Sequence, residues 1–233
     1  MVEKADSVYS IVSAERRASR ANGAEPLRSV GRLVFCMIYE TEKIEVTWNG
    51  PYSWPGFESN NSLRPIPQIP GGYLQTFEYR GGYLIYAAGL THRSVYTRFR
   101  EHTRKYMNGE YTVLDIAAAQ QGIRKELWHG WGYAHKHREE FEERKSIILD
   151  SVRKQLVGFR IFITDIEDVG RESRIFERLE AAIMMNLYQQ PSPICDVPDR
   201  GMHLAPRWDS EDPIIVKSSC AAILHGLPAF LEI

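Results

Sequence analysis

The sequence predicts an α+β fold, because strand-like and helical segments follow one another in the order β-β-α, an insertion, and then β-α. Residues 73–78 and 83–88 are short runs rich in aromatic and aliphatic residues, joined by a turn that contains Gly81 and Gly82. Glycine tolerates the positive φ angles of tight turns, so these runs predict a β-hairpin. Residues 159–166 are largely apolar, which is typical of a central strand.

Two segments have the apolar periodicity of helices. The first, residues 95–108, follows Ser94, whose hydroxyl suits a helix N-cap, and it closes at Gly109. The second, residues 173–188, carries an apolar stripe and stops before Pro191, which cannot continue a helix. Both helices are therefore expected to pack one face on the sheet.

By composition, the chain divides into three parts. They are an N-terminal extension that packs on the core, a core with an insertion at about residues 110–157, and a C-terminal tail: residues 1–65, 66–190 and 191–233. Residues 32–49 predict one or two strands, residues 136–155 predict a charged helix within the insertion, and residues 214–216 are strand-like.

The overall composition narrows the class of protein. Of the 233 residues, 43% are hydrophobic and the net charge is only -1, so any basic surface that binds nucleic acid must be local. The three cysteines, Cys36, Cys195 and Cys220, are dispersed, which indicates reduced thiols rather than a disulfide frame or a zinc site. No run approaches the roughly 18 apolar residues of a membrane span, so we expect a cytoplasmic protein without a membrane partner.

The densest basic stretch lies on the first predicted helix. Arg98 and His102 are four positions apart, so both project from one helix face. A guanidinium can balance the charge of a phosphodiester transition state, and a histidine one turn away can transfer a proton or bind phosphate. The alternative is a solvated basic face, which would also include the neighbouring cations Arg93, Arg100, Arg104 and Lys105.

The second predicted helix carries a candidate metal ligand. Glu180 lies beside the apolar stripe, and the small residues Ala181 and Ala182 allow close approach to a sheet. A single carboxylate can hold Mg²⁺ or Mn²⁺ when water completes the coordination, although most helical glutamates are simply solvated. The sequence lacks HExxH, phosphate-loop, GxGxxG and GxSxG patterns, so zinc, nucleotide-loop and serine-hydrolase chemistry are not indicated.

Taken together, GGYLQTF, YLIYAAG, RFREH and RLEAAI resemble, in this order, the GIY-YIG nuclease family. The resemblance spans residues 70–188. It implies a small three-stranded antiparallel sheet flanked by helices. It also implies a catalytic set consisting of Tyr73, Tyr86, Arg98, His102 and Glu180.

The function implied by this resemblance is that of a metal-dependent endonuclease of restriction or repair type, with DNA as the expected substrate. Tyr73 or Tyr86 would position or deprotonate a water, Arg98 would stabilise the transition state, and His102 would assist proton transfer. Glu180 would hold one Mg²⁺ or Mn²⁺ ion, and the neighbouring cations would bind substrate: Arg93, Arg100, Arg104 and Lys105. Double-strand cutting by a one-site enzyme would call for a homodimer. An RNA nuclease and a catalytically inactive nucleic-acid- or partner-binding module remain alternatives.

Two elements differ from the family pattern. The second element, YAAG, is one residue longer than YxG, so a regular strand would place Ala87 where the family has tyrosine. A β-bulge would return Tyr86 to that position, because one inserted residue reverses the direction of the side chains. The first element reads GGY, which leaves Tyr73 as its tyrosine. For each tyrosine, packing in the core is the alternative role.

Overall fold

The computed structural model describes residues 41–165 and 174–233. The described strands are β1 (Glu42–Tyr52), β2 (Gly71–Tyr79), β3 (Gly82–Thr91), β4 (Val113–Leu114), β5 (Glu126–Trp128), β6 (Phe159–Thr164), β7 (Ile214–Cys220), β8 (Leu224–His225) and β9 (Phe230–Glu232). The described helices are α1 (Glu58–Asn61), α2 (Val95–Met107), α3 (Ile116–Ala119), α4 (Trp131–Lys136), α5 (Arg138–Glu143), α6 (Lys145–Gly158) and α7 (Ile175–Gln189). None of these helices has the length and apolar character that crossing a bilayer requires. The predicted strand before residue 41, Cys36, and the predicted helix start at residue 173 lie outside the described residues.

The main sheet has seven strands in the order β8-β3-β2-β6-β1-β7-β9. Strands β1 and β7 pair in parallel, as do β3 and β8, and the other neighbours are antiparallel. The prediction of a small three-stranded antiparallel sheet is therefore wrong. The strands β3, β2 and β6 lie together as expected, but the free edge of β6 exposes backbone groups that need partners, and β1 supplies them.

The two outer parts of the chain supply the additional strands. Strand β1 comes from the predicted N-terminal extension and lies inside the sheet, between β6 and β7. Strands β7, β8 and β9 come from the predicted tail and lie at or next to the two sheet edges. The extension and the tail therefore contribute to the central sheet as far as the structure describes them.

The hairpin of β2 and β3 contains the predicted bulge. Gln75 pairs with Ala87, whereas the next residue, Thr76, pairs with Ile85. Tyr86 is the extra residue between these pairs, so the strand reverses its side-chain direction there. The bulge predicted from the longer YAAG element is confirmed.

Helix α2 forms as its sequence predicts. The Ser94 hydroxyl accepts a hydrogen bond from the Thr97 backbone N–H at 3.4 Å, which caps the first turn. Gly109, beyond the last turn, has a φ of 71°. The helix buries Phe99 and Tyr106 against the sheet.

The predicted charged helix within the insertion is wrong as a single element. Residues 136–155 instead belong to the three helices α4, α5 and α6, which meet at His137 and Arg144. His137 has φ and ψ of -120° and 40°, which break the helical path. Only α6 has a substantial buried stripe, formed by Ile148, Val152 and Leu156. The shorter helices bury one residue each, so packing does not favour one straight helix here.

Two apolar clusters lie on opposite faces of the hairpin, because neighbouring strand residues point to opposite sides. Phe77 belongs to the cluster that includes residues of α2 and α6. Leu74 belongs to the cluster that includes Leu179 and Ile183 of α7. Helix α7 also contacts β3, and this contact brings α7 toward the bulged strand.

Candidate active site

One cavity of about 180 Å³ is lined by all five residues that the sequence predicts to be catalytic. These residues come from β2, β3, α2 and α7: Tyr73, Tyr86, Arg98, His102 and Glu180. The remaining lining residues are Gln75, Ala87, Ala88, Tyr106, Tyr111, Trp131, Asp199, Met202 and His203. The space is several times the ~30 Å³ that one water occupies in the liquid, so it admits a chemical group larger than water.

A buried hydrogen-bonded chain runs through His102. The Tyr73 hydroxyl lies 3.0 Å from His102 Nε2, and the Tyr111 hydroxyl lies 3.2 Å from Nδ1. Burial and, to a smaller extent, the neighbouring positive charge of Arg98 lower the pKa of His102 to about 3, while Glu101 opposes both. The imidazole is therefore neutral near pH 7 and links two hydroxyl groups.

Tyr73 is held between this histidine and a glycine. Burial raises the pKa of the Tyr73 hydroxyl to about 12, and the positive charge of Arg98 opposes that rise. A Cβ atom at Gly89 would lie 2.3 Å from Tyr73 Cζ, far inside van der Waals contact. The glycine of the YAAG element therefore makes room for the tyrosine ring on the neighbouring strand.

The cation of the cavity is Arg98. Its side chain is half-buried, and Nη1 lies 3.5 Å from a Glu101 carboxylate oxygen. Its Nε atom is buried and has no hydrogen-bond partner among the described residues. A guanidinium stays charged at any working pH, so Arg98 presents a permanent positive charge and an unused donor.

The carboxylate of Glu180 lies on α7, at the same cavity. Burial raises the pKa of Glu180 to about 7; Arg98 opposes this rise and Glu177 adds to it. Within the described residues no group of three His, Cys, Asp or Glu side chains is placed to hold a metal ion. A single carboxylate still fits Mg²⁺ or Mn²⁺, since these ions commonly bind one or two carboxylates together with water and phosphate oxygens.

The four cations predicted to bind substrate do not line the cavity. All four are exposed on or next to α2: Arg93, Arg100, Arg104 and Lys105. Arg93 Nη1 lies 2.9 Å from a carboxylate oxygen of Glu101, and Lys105 pairs with Glu110. Two of these charges are thus already paired at the surface.

Two of the cavity residues outside the predicted catalytic set come from the tail and from the insertion. Asp199 lies in the proline-rich tail, where no periodicity marks it, and its backbone N–H donates to the Tyr86 carbonyl at 2.8 Å. Trp131 of the insertion donates from Nε1 to Asp199 Oδ1 at 3.3 Å. Its φ of 54° is uncommon for a residue other than glycine and is typical of strained functional positions. The glycines that flank Trp131 were the available signal for an unusual backbone.

The cavity brings together a permanent cation, a carboxylate able to hold a metal ion, and a tyrosine hydroxyl hydrogen-bonded to a neutral histidine. This combination suits attack of water on a phosphate ester, in which negative charge grows on phosphate oxygens. Comparison with known proteins found no family model, no curated protein and no solved structure that matches this chain.

Proposed function

We propose that this protein is an endonuclease that hydrolyses phosphodiester bonds of nucleic acid, with DNA as the favoured substrate and one Mg²⁺ or Mn²⁺ ion as cofactor. The observation that carries the proposal is that Arg98 of α2 and Glu180 of α7 line one cavity. The resemblance to GIY-YIG nucleases in these same residues supports it. We also propose a cytoplasmic location, as the dispersed cysteines lead us to expect.

The attacking water is positioned by Tyr73. Its hydroxyl is held 3.0 Å from His102 Nε2, where the neutral imidazole can take a proton only transiently, because burial lowers its pKa to about 3 and makes it give the proton up again. The water passes a proton to the Tyr73 oxygen while the Tyr73 proton moves to His102. The water oxygen then forms a bond to phosphorus as the bond to the leaving sugar oxygen breaks; His102 gives its proton back to water, and the leaving oxygen takes a proton from water to become a hydroxyl group.

Charge on the phosphate is balanced from two sides. Arg98 donates to the nonbridging oxygens, because its guanidinium remains charged and its Nε donor is unused. Glu180 would hold a divalent ion, which when bound would supply positive charge against the phosphate. The pKa of about 7 for Glu180 shows that burial disfavours its negative charge, which a cation would stabilise.

Nicking of supercoiled plasmid DNA tests this function. We expect purified protein to relax the plasmid in Mg²⁺ or Mn²⁺, and not in EDTA. Arg98→Ala and Glu180→Gln should each lower the nicking rate by at least about 100-fold, whereas Glu177→Gln, one turn away and outside the cavity lining, should retain it. Activity that survives in both cavity variants would remove the basis of the proposal.

The same assay separates the alternatives. A protein that shifts DNA on a gel equally with metal or EDTA, and never nicks it, would be a non-catalytic nucleic-acid-binding module. Parallel digestion of DNA and RNA shows which of the two polymers is the substrate, since the described cavity residues favour neither by themselves.

A further inference from the structure

One wall of the cavity carries hydrogen-bonding groups that the proposed hydrolysis does not use. Gln75, Tyr86 and Asp199, which we call the acceptor wall, are 6%, 2% and 7% exposed. The Gln75 Oε1 atom and the Tyr86 hydroxyl are buried and have no hydrogen-bond partner among the described residues. Buried polar atoms without partners are rare in folded proteins, so two on one cavity wall indicate that a polar group, either water or a ligand that displaces it, occupies this side of the cavity.

The backbone holds these groups in place. Gln75 pairs with Ala87, directly beside the bulge at Tyr86. The Asp199 backbone N–H donates to the Tyr86 carbonyl at 2.8 Å, which ties the tail segment to the bulged strand. The acceptor wall is therefore built from main-chain contacts as well as side-chain packing.

The two carboxylate oxygens of Asp199 differ in the hydrogen bonds that they accept. Trp131 Nε1 donates to Oδ1 at 3.3 Å, and the Gly201 backbone N–H donates to the same atom at 3.2 Å. Within the described residues no side chain donates to Oδ2, and the Arg200 backbone N–H is the other donor close to this carboxylate. Burial raises the pKa of Asp199, and the hydrogen bonds from Gly201 and Trp131 oppose that rise; in its ionised form the carboxylate only accepts hydrogen bonds and repels phosphate. The cavity is therefore polarised, with a donor at Arg98 and an acceptor at Asp199.

We infer that the acceptor wall recognises the exocyclic amino group of a nucleobase, while Arg98 holds the neighbouring phosphate. This inference rests on the proposed nucleic-acid substrate. Cytosine, adenine and guanine carry such an amino group, whereas uracil and thymine do not. Because the cavity is recessed, the base must leave its stack to reach the wall, which favours single-stranded or distorted substrate.

Binding of two single-stranded oligonucleotides tests the inference. Labelled (dC)₈ and (dU)₈ differ at each base at C4, which carries an amino group in cytosine and a carbonyl group in uracil, and at N3, which carries a hydrogen only in uracil. Fluorescence anisotropy in EDTA measures binding without cleavage. We expect wild type to bind (dC)₈ about tenfold more tightly, the scale of one hydrogen bond to a charged acceptor. Asp199→Asn should reduce the ratio to about twofold or less, since an amide can present a donor to the carbonyl.

A matched control is Asp196→Asn, which alters an exposed carboxylate of the same segment and should keep the tenfold ratio. Gln75→Leu is a second variant, for use where circular dichroism shows that Asp199→Asn does not fold; it should also reduce the ratio. Equal binding of the two oligonucleotides by wild type, absence of binding, or an unchanged ratio in the folded wall variants would overturn the inference.

The outcome also separates this inference from the proposed function. If the binding ratio depends on Asp199 but the protein never nicks plasmid DNA, the recognition role of the acceptor wall is supported and the nuclease activity is refuted. If the protein nicks DNA in a metal-dependent way but binds the two oligonucleotides with equal affinity, the nuclease activity is supported and the recognition role of the acceptor wall is refuted.

Discussion

His102 gives the fold a dependence on pH that can be isolated by one substitution. The ring is 6% exposed, and both of its nitrogens face tyrosine hydroxyls at 3.0 and 3.2 Å. In the folded protein its pKa is lowered from 6.5 to about 3, so the ring stays neutral through mild acid. In the unfolded chain the same histidine takes up a proton near its ordinary value of about 6.5.

The direction and size of the effect follow from this difference. Below about pH 6.5 the unfolded state binds one more proton than the folded state, so acid favours unfolding. The stability that His102 contributes is complete above that pH and declines as the pH falls toward about 3. Each pH unit in that range is worth about 1.4 kcal/mol, so acidification from about pH 7 to about pH 5 should cost about 2 kcal/mol.

Urea unfolding of wild type and His102→Gln at these two pH values measures the effect. Glutamine can still bond to both tyrosine hydroxyls but does not titrate, so the other ionisable groups cancel in the comparison. We expect the free energy of unfolding of wild type to fall by about 2 kcal/mol more than that of the variant. Equal pH dependence in the two proteins would refute the neutral, buried histidine and the relay that it forms with Tyr73.

Three further substitutions test how the cavity is built. Arg98→Ala should lower the nicking rate by about 10²–10³-fold, the usual cost of removing a transition-state donor, while Lys154→Ala, which removes an exposed cation of α6 outside the cavity lining, should change the rate by less than about twofold. Gly89→Ala would place a Cβ 2.3 Å from Tyr73 Cζ; we expect a loss of about 1–3 kcal/mol in urea unfolding and a slower rate of nicking. An alanine at position 109 would have to adopt a φ of 71°, which strains a residue with a Cβ atom, and that Cβ would lie 2.3 Å from Cε2 of Phe141. We expect Gly109→Ala to destabilise the protein by about 1–3 kcal/mol in the same assay. An unchanged midpoint in either glycine variant, or equal nicking by the arginine and lysine variants, would contradict these contacts.

Local patterns in the sequence predicted the central elements because their signals are short-range. The Ser94 cap and Gly109 marked the limits of α2, and the longer YAAG element marked the bulge at Tyr86. These short-range signals could not predict how many strands the sheet contains. Pairing of β1 with β7 joins residues 42–48 to residues 214–220, and nothing local in either segment specifies such a distant partner.

The difference between local and long-range signals also explains why only part of the site was predicted. Arg98 and His102 share a helix face, so their spacing alone places them together, and the family pattern added Glu180. Asp199 was missed because it lies in an irregular segment that a backbone hydrogen bond to Tyr86 brings to the cavity. Tertiary contacts of this kind leave no periodic trace in a sequence.

The central claim is that Arg98 and Glu180 act on one phosphodiester group. A crystal structure with Mn²⁺ and a short DNA tests it most directly, because the anomalous signal of manganese locates the ion independently of the protein coordinates. We predict one ion coordinated by the Glu180 carboxylate, with a DNA phosphate oxygen in its coordination sphere and the Arg98 guanidinium within hydrogen-bond distance of the same phosphate. Manganese bound elsewhere, or a phosphate that contacts neither side chain, would contradict it.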